Sequence, residues 1–227
     1  GRLLPAERAR FAVRLVDPRV TELLLSARTL TQQYTAAALR QALVITRQAI
    51  VIDSTYAPAW VQLAWSYMLR QSLVPDTTGP DADQRAVASA RAFALDSSSG
   101  SAMSVLAVLR ASRNDLSPRT EALARRGAAQ EPGVETAINL ASVLLIVGKV
   151  DEALAGIRDA ARRDSLSPVA WAMAAWRLMQ ARHFAEGARA WDRALALRPS
   201  AQDSLALTQA RRWARLETGD CAGALAE

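Results

Sequence analysis

The chain has 227 residues, 51% of them hydrophobic, so it can bury a sizeable core, and its alanine-, leucine- and arginine-rich composition is the propensity profile of helices, which excludes a sheet protein. The net charge of +6 comes almost wholly from arginines, Lys149 being the only lysine, but they stand beside acids along the chain, as Arg189 does near Asp192, which reads as a solvated surface and makes nucleic acid an unlikely partner class. No apolar run reaches the ~20 residues of a membrane span, and Cys221, the only cysteine, excludes an internal disulfide and leaves the redox compartment open.

Residues 1–17 read as an entry helix or linker. They open on Gly1 instead of a methionine and carry no signal-peptide pattern. Residues 18–54 read as a first helical hairpin, degenerate because polar Gln33 and Thr46 stand where bulk is expected. In 55–97 the first helix offers Ala57, Trp60, Leu63, Ala64 and Tyr67, and the unit closes on Asp96 and Ser97. Pro75, Gly79 and Pro80 predict a loop over Gln71 to Asp83 inside this unit. The units 98–132 and 133–165 follow, the former with Gly127 in place of an expected alanine.

The clearest unit is 166–199. Trp171, Ala175 and Leu178 lie on its first helix, Arg182, His183 and Phe184 on a short turn, and Trp191, Ala194 and Leu197 on its second helix before Pro199. Small residues let paired helices approach, tryptophans fill the space beside the contact, and a proline stops the second helix. Residues 200–227 read as an incomplete hairpin, with Gly219, Asp220 and Cys221 as its turn, and the chain stops at Glu227 in what reads as the start of a helix, so it reads as a piece of a larger protein.

This pattern resembles the tetratricopeptide repeat. Closing positions Ser97, Pro132, Ser165 and Pro199 follow one another at that family's period of about 34 residues, while the interval from Ser54 to Ser97 is longer. The resemblance implies an all-α fold, a right-handed α-α superhelix of about five full hairpins and a truncated sixth. It also implies a non-catalytic interaction or scaffold module with a protein or peptide partner. A small-ligand sensor and an RNA-binding helical array are the alternatives. Leu4, Pro5, Glu7 and Arg8, then Val16, Asp17 and Pro18, then Glu22 to Arg28, also resemble the entry to the C-terminal repeat arrays of bacterial multidomain regulators. That implies the sensory or scaffolding part of a signalling protein, in the cytoplasm by preference and in the periplasm if its parent spans a membrane.

Helical angles add a prediction about the partner. Trp60 and Trp65, like Trp171 and Trp176, are five residues apart, which sets the two rings about 140° apart around the helix. Trp60 shares a face with Leu63 and Tyr67, which meets the hairpin partner, and Trp65 shares the other with Val61, Met68 and Leu69. Equivalent second stripes hold Ile138, Ser142 and Leu145 in one unit and Trp176 and Met179 in another. These nine residues, Val61 to Met179, are the expected apolar groove for a partner, unless winding of the superhelix, the long loop or the N-terminal helix covers them.

No catalytic constellation, metal site or cofactor motif is found. His183 is the only histidine and lies on a turn, and Gly148 with Lys149 lacks the remainder of a phosphate loop. Asp151 and Glu152 suit the positive end of a helix, and Cys221 is expected to pack as an apolar turn residue.

Overall fold

The computed structural model describes residues 16–73, 80–197 and 211–226. Within them, ten helices form five antiparallel hairpins: α1 (Pro18–Gln33) with α2 (Ala36–Ile52), α3 (Ala57–Leu73) with α4 (Pro80–Leu95), α5 (Gly100–Ser112) with α6 (Pro118–Gln130), α7 (Val134–Ile146) with α8 (Val150–Arg163), and α9 (Pro168–Gln180) with α10 (Phe184–Leu197). Residues 211–217 form α11, and α12 (Cys221–Ala226) follows. No strand occurs among the described residues. The entry segment 1–15 and the stretch 198–210 lie outside them.

Helix starts are written locally. Asp17, Thr35, Ser99 and Ser167 each accept a hydrogen bond from a backbone N–H of the first turn they cap, at 2.9, 3.1, 3.3 and 3.2 Å. Hairpin turns repeat one device. Asn114, Gly148 and Arg182, each one repeat beyond the last, all take positive φ (66, 84 and 66°). In each case the next residue's N–H returns to a carbonyl five positions back: Asp115 to Arg110, Lys149 to Leu144, and His183 to Leu178. His183 is thus an exposed turn residue.

Turns between hairpins also repeat. At two of the three closing positions where serine replaces proline, Ser54 and Ser165, a tryptophan clamps the turn: Trp60 Nε1 donates to Ser54 O at 2.9 Å and Trp171 Nε1 to Ser165 O at 3.0 Å. Thr46, polar where bulk is expected, is buried and donates to Ala42 O of its own helix at 2.7 Å, so burial leaves nothing unsatisfied. Gly127 is explained by contact. A Cβ there would lie 2.6 Å from Gly100 O, and one on Gly100 would lie 2.5 Å from Gly127 O, so α5 and α6 touch backbone to backbone.

Two expectations need correction. The segment Gln71 to Asp83 is helical at both ends, since α3 runs to Leu73 and α4 starts at Pro80, while residues 74–79, with Pro75 and Gly79, lie outside the described residues. The extra length of this unit goes into helices of 17 and 16 residues, against 13 each in α5 and α6. Cys221 is exposed at the start of α12, because no described element packs over it.

Arginines on successive second helices pair with acids of the neighbouring hairpin. Arg125 of α6 holds Glu152 of α8 at 2.5 and 2.8 Å, and Arg158 of α8 holds Glu186 of α10 at 2.6 and 2.7 Å. Such pairs are half-exposed and contribute little each.

First helices form the inside of the array. In order α1, α3, α5, α7 and α9 each touch the next, and α9 returns to touch α1, so the inner wall closes within five hairpins. A continuous core runs through this ring and between the hairpins, from Tyr34 and Trp65 through Ile138 to Met173 and Trp191.

Candidate partner-binding site

The ring decides what becomes of the nine expected groove residues. Trp65 (2% exposed), Leu69 (0%) and Ile138 (0%) are interior, as are Met68 and Ser142, whereas Val61, Leu145, Trp176 and Met179 are half-buried. The angular separation of Trp60 from Trp65 is realised: Trp60 packs with Leu63 and Tyr67 against Leu43 and Ala88, and Trp65 joins the larger core. That second face, however, meets other inner helices of its own chain. Met179 faces α10, where a Cβ on Gly187 would come within 2.9 Å of Met179 Cγ. Ser142 Oγ donates to Ile138 O at 2.7 Å and accepts from Arg177 at 3.0 Å. Five of the nine are therefore part of a packed interior, because winding brings α1 back onto α9, and no continuous open groove runs through all nine.

Open space remains at the mouth where the inner helices begin. One hollow of about 410 Å³ lies between α1 and the starts of α3 and α5, with Leu24, Leu25, Tyr56, Pro58 and Val61 as its apolar part. A second, of about 390 Å³, adjoins it and reaches Trp65, Val134, Ser167 and Val169. They share Arg28, Ser101, Glu131 and Glu135. Leu25 is 60% exposed at the rim.

Charges here are fixed by the fold. Glu131 follows α6 and accepts hydrogen bonds from Ser99 Oγ (2.9 Å), Gly100 N (2.7 Å), Ser101 N (3.1 Å) and Ser101 Oγ (2.6 Å), so it caps the start of α5. Burial by itself would raise its carboxyl pKa, but these bonds outweigh burial and hold it below the ordinary glutamate value. The sign follows: a depressed folded pKa stabilises above the unfolded value of about 4.3 and ceases to do so as pH falls through the folded value. Glu131→Gln should thus flatten the acid limb of a stability-versus-pH curve below about pH 4.3, measured by urea unfolding at each pH. An unchanged limb would show that Glu131 does not carry the cap.

Glu135 behaves oppositely. Burial raises its pKa against the opposing pull of Arg28, whose Nη2 lies 3.5 Å from Glu135 Oε1. Gln32 Oε1 accepts from Ser167 Oγ at 3.1 Å, a second polar tie between α1 and the far end of the array. Sequence reasoning missed Arg28, Glu131 and Glu135, since their meeting depends on α1 crossing to α7 and on α6 ending beside α5. No group of three His, Cys, Asp or Glu side chains among the described residues could hold a metal ion, and no described helix is long and apolar enough to cross a membrane.

Solved structures give the same architecture. TTC0263, a thermophilic TPR protein of Thermus thermophilus, superposes with a TM-score of 0.57 at 13% identity, over 84% of this chain and 98% of its own. PilW, a type IV pilus biogenesis factor, gives 0.58 at 14% identity over 94% and 90%. Human IFIT1, solved as a dimer with PPP-AAAA, gives 0.62 at 14% identity over 84% of this chain and 44% of its own. No family sequence model matches the chain, and no curated protein matches it in sequence. The class is set by architecture: this is an all-helical array with the tetratricopeptide-repeat fold.

Proposed function

We propose that this chain is a non-catalytic interaction module that seats a segment of a protein partner across the mouth formed by α1 and the starts of α3, α5, α7 and α9. The observation that carries this reading is the pair of adjoining hollows of about 410 and 390 Å³, with an apolar side at Leu24, Leu25 and Val61 and a polar side at Glu131 and Glu135. A peptide bearing both apolar and basic side chains complements that lining. Membership of a larger bacterial regulator, as the resemblance of residues 4–28 implies, is part of this proposal and rests on that resemblance alone. The IFIT1 structure holds PPP-AAAA, but a phosphate backbone is disfavoured at this mouth, where Asp96, Glu131, Glu135 and Asp164 outnumber the arginine that lines it with them, Arg28.

The test places a photo-crosslinking residue at Leu25 and, separately, introduces Leu25→Asp with Val61→Asp. A protein cross-linked at position 25 in native lysate, and lost in the double variant while the helical circular dichroism is retained, is the expected result. Equal capture by the double variant would move the partner off this mouth. A bound small molecule in native mass spectra, with no cross-linked protein, would replace this reading with the ligand-sensor one.

A further inference from the structure

At the opposite end of the ring, where the inner helices end, Arg177 of α9 is only 9% exposed and meets no carboxylate among the described residues. Its Nε donates to Ser142 Oγ at 3.0 Å and its Nη1 to Gln180 Oε1 at 3.0 Å, both neutral acceptors. Arg85 of α4 comes to the same end of the ring, with Nη1 on Gln71 Oε1 at 2.9 Å and Nη2 on Ser112 Oγ at 2.7 Å, again neutral. No carboxylate among the described residues lies within 4.0 Å of either guanidinium, and the acids nearby are engaged: Asp81 holds Arg70 at 2.9 Å and Asp83 lies 4.0 Å from Arg113.

Both cations are at odds with their surroundings. Burial pushes the pKa of Arg177 down to about 10, with Tyr34 opposing the shift and the positive charge of Arg85 adding to it, yet the group stays charged at neutral pH. Arg85 is half-buried, and its pKa is likewise lowered by burial and by neighbouring Arg113. The carbonyl end of α9 favours a cation in its last turn and offsets part of this for Arg177. Arg85 sits in the first half of α4 and gains no such help. An uncompensated charge in a protein interior is costly unless something supplies the opposite sign.

We propose that this end of the ring binds a small oxyanion, the phosphate or carboxylate group of a ligand, between Arg177 and Arg85. Each guanidinium has five N–H donors and spends two of them on protein acceptors, which leaves donors on both for a shared anion in the forked geometry that suits such groups. Ser142 and Gln180 hold the Arg177 plane, and Gln71 and Ser112 hold that of Arg85, so the site is preorganised by the ends of four inner helices and does not depend on the mouth used for the protein partner.

Thermal unfolding and isothermal titration of the whole chain test this, with chloride exchanged for inorganic phosphate, sulfate or acetate at constant ionic strength. Wild type should show saturable stabilisation, while Arg177→Met and Arg85→Gln should each bind roughly tenfold more weakly or worse. In chloride Arg177→Met should melt no lower than wild type, since it removes a charge that has no carboxylate partner among the described residues. Response to phosphate and sulfate alone assigns a phosphoryl-type ligand, and response to acetate as well assigns a carboxylate. Equal stabilisation of all three proteins, the general salting effect of such anions, or no binding to wild type, overturns the site. If Arg177→Met does not fold, Arg85→Gln decides the comparison by the same criteria.

Discussion

Trp65→Ala should cost about 3–5 kcal/mol of folding stability, the range for deleting a large aromatic from a packed core. Trp65 is 2% exposed and packs in the common core with Leu69, Met103, Ile138 and Met173, so the vacated volume has walls from several inner helices that cannot all collapse into it. A ring on an open groove would behave differently, since surface truncations usually stay within about 0.5 kcal/mol. Urea unfolding of this one variant therefore decides whether the concave wall is closed, and a loss under about 1 kcal/mol would mean that it is not. Trp65→Phe is the informative companion. The indole Nε1 is buried with no hydrogen-bond partner, so the smaller ring gives up volume but also removes an unsatisfied donor whose burial costs about 1–3 kcal/mol. It should fall much closer to wild type than the alanine variant does.

Gly127→Ala carries the second large effect, opposite in sign to what helix propensity gives. In an exposed helix the change gains about 1 kcal/mol. Here the added Cβ would stand 2.6 Å from Gly100 O and 3.1 Å from Ser104 N, and backbone atoms cannot rotate aside as a side chain would. The two helices must separate, which overpacking series place at about 1–3 kcal/mol. A net loss of about 2 kcal/mol corresponds to a fall in melting temperature of roughly 4–8 °C for a chain of this size. Gly156→Ala is the control within the same molecule. Gly156 is helical, exposed, and has nothing within 4 Å of its would-be Cβ, so this variant should be stabilised by about 0.5–1 kcal/mol. Equal responses at the two glycines would remove the backbone contact between α5 and α6 from the account.

These two variants also mark where sequence reading stops. The unequal fates of Gly127 and Gly156 are not visible in their local sequence, since both lie within second helices. What differs is the neighbour: Gly100, on the facing helix of the same hairpin, brings its own missing side chain to the same point. The excess length of the second hairpin is legible as an excess, but its use is not. Helix breakers at Pro75, Gly79 and Pro80 point to a loop, whereas both helices lengthen and so deliver Gln71, Ser72 and Arg85 to the end of the ring, where Ser72 meets Tyr34 at 2.8 Å. Arg28 and Glu135, 107 residues apart, carry no sequence mark of their pairing.

The sequence by itself determined that the chain is helical, that it is a series of hairpins with a period of about 34 residues, and that Trp60 and Trp65 serve different faces. Those properties depend on turn chemistry, caps and the ~100° step of one helix, all of which act over a few residues. Only the tertiary structure decided how tightly the hairpins wind. The rotation from one hairpin to the next is fixed by side-chain volumes and close backbone contacts between units, and a small change per unit accumulates along the array. That accumulated winding returns α9 to α1 and turns Trp65, Met68, Leu69, Ile138 and Ser142 of the expected groove into core.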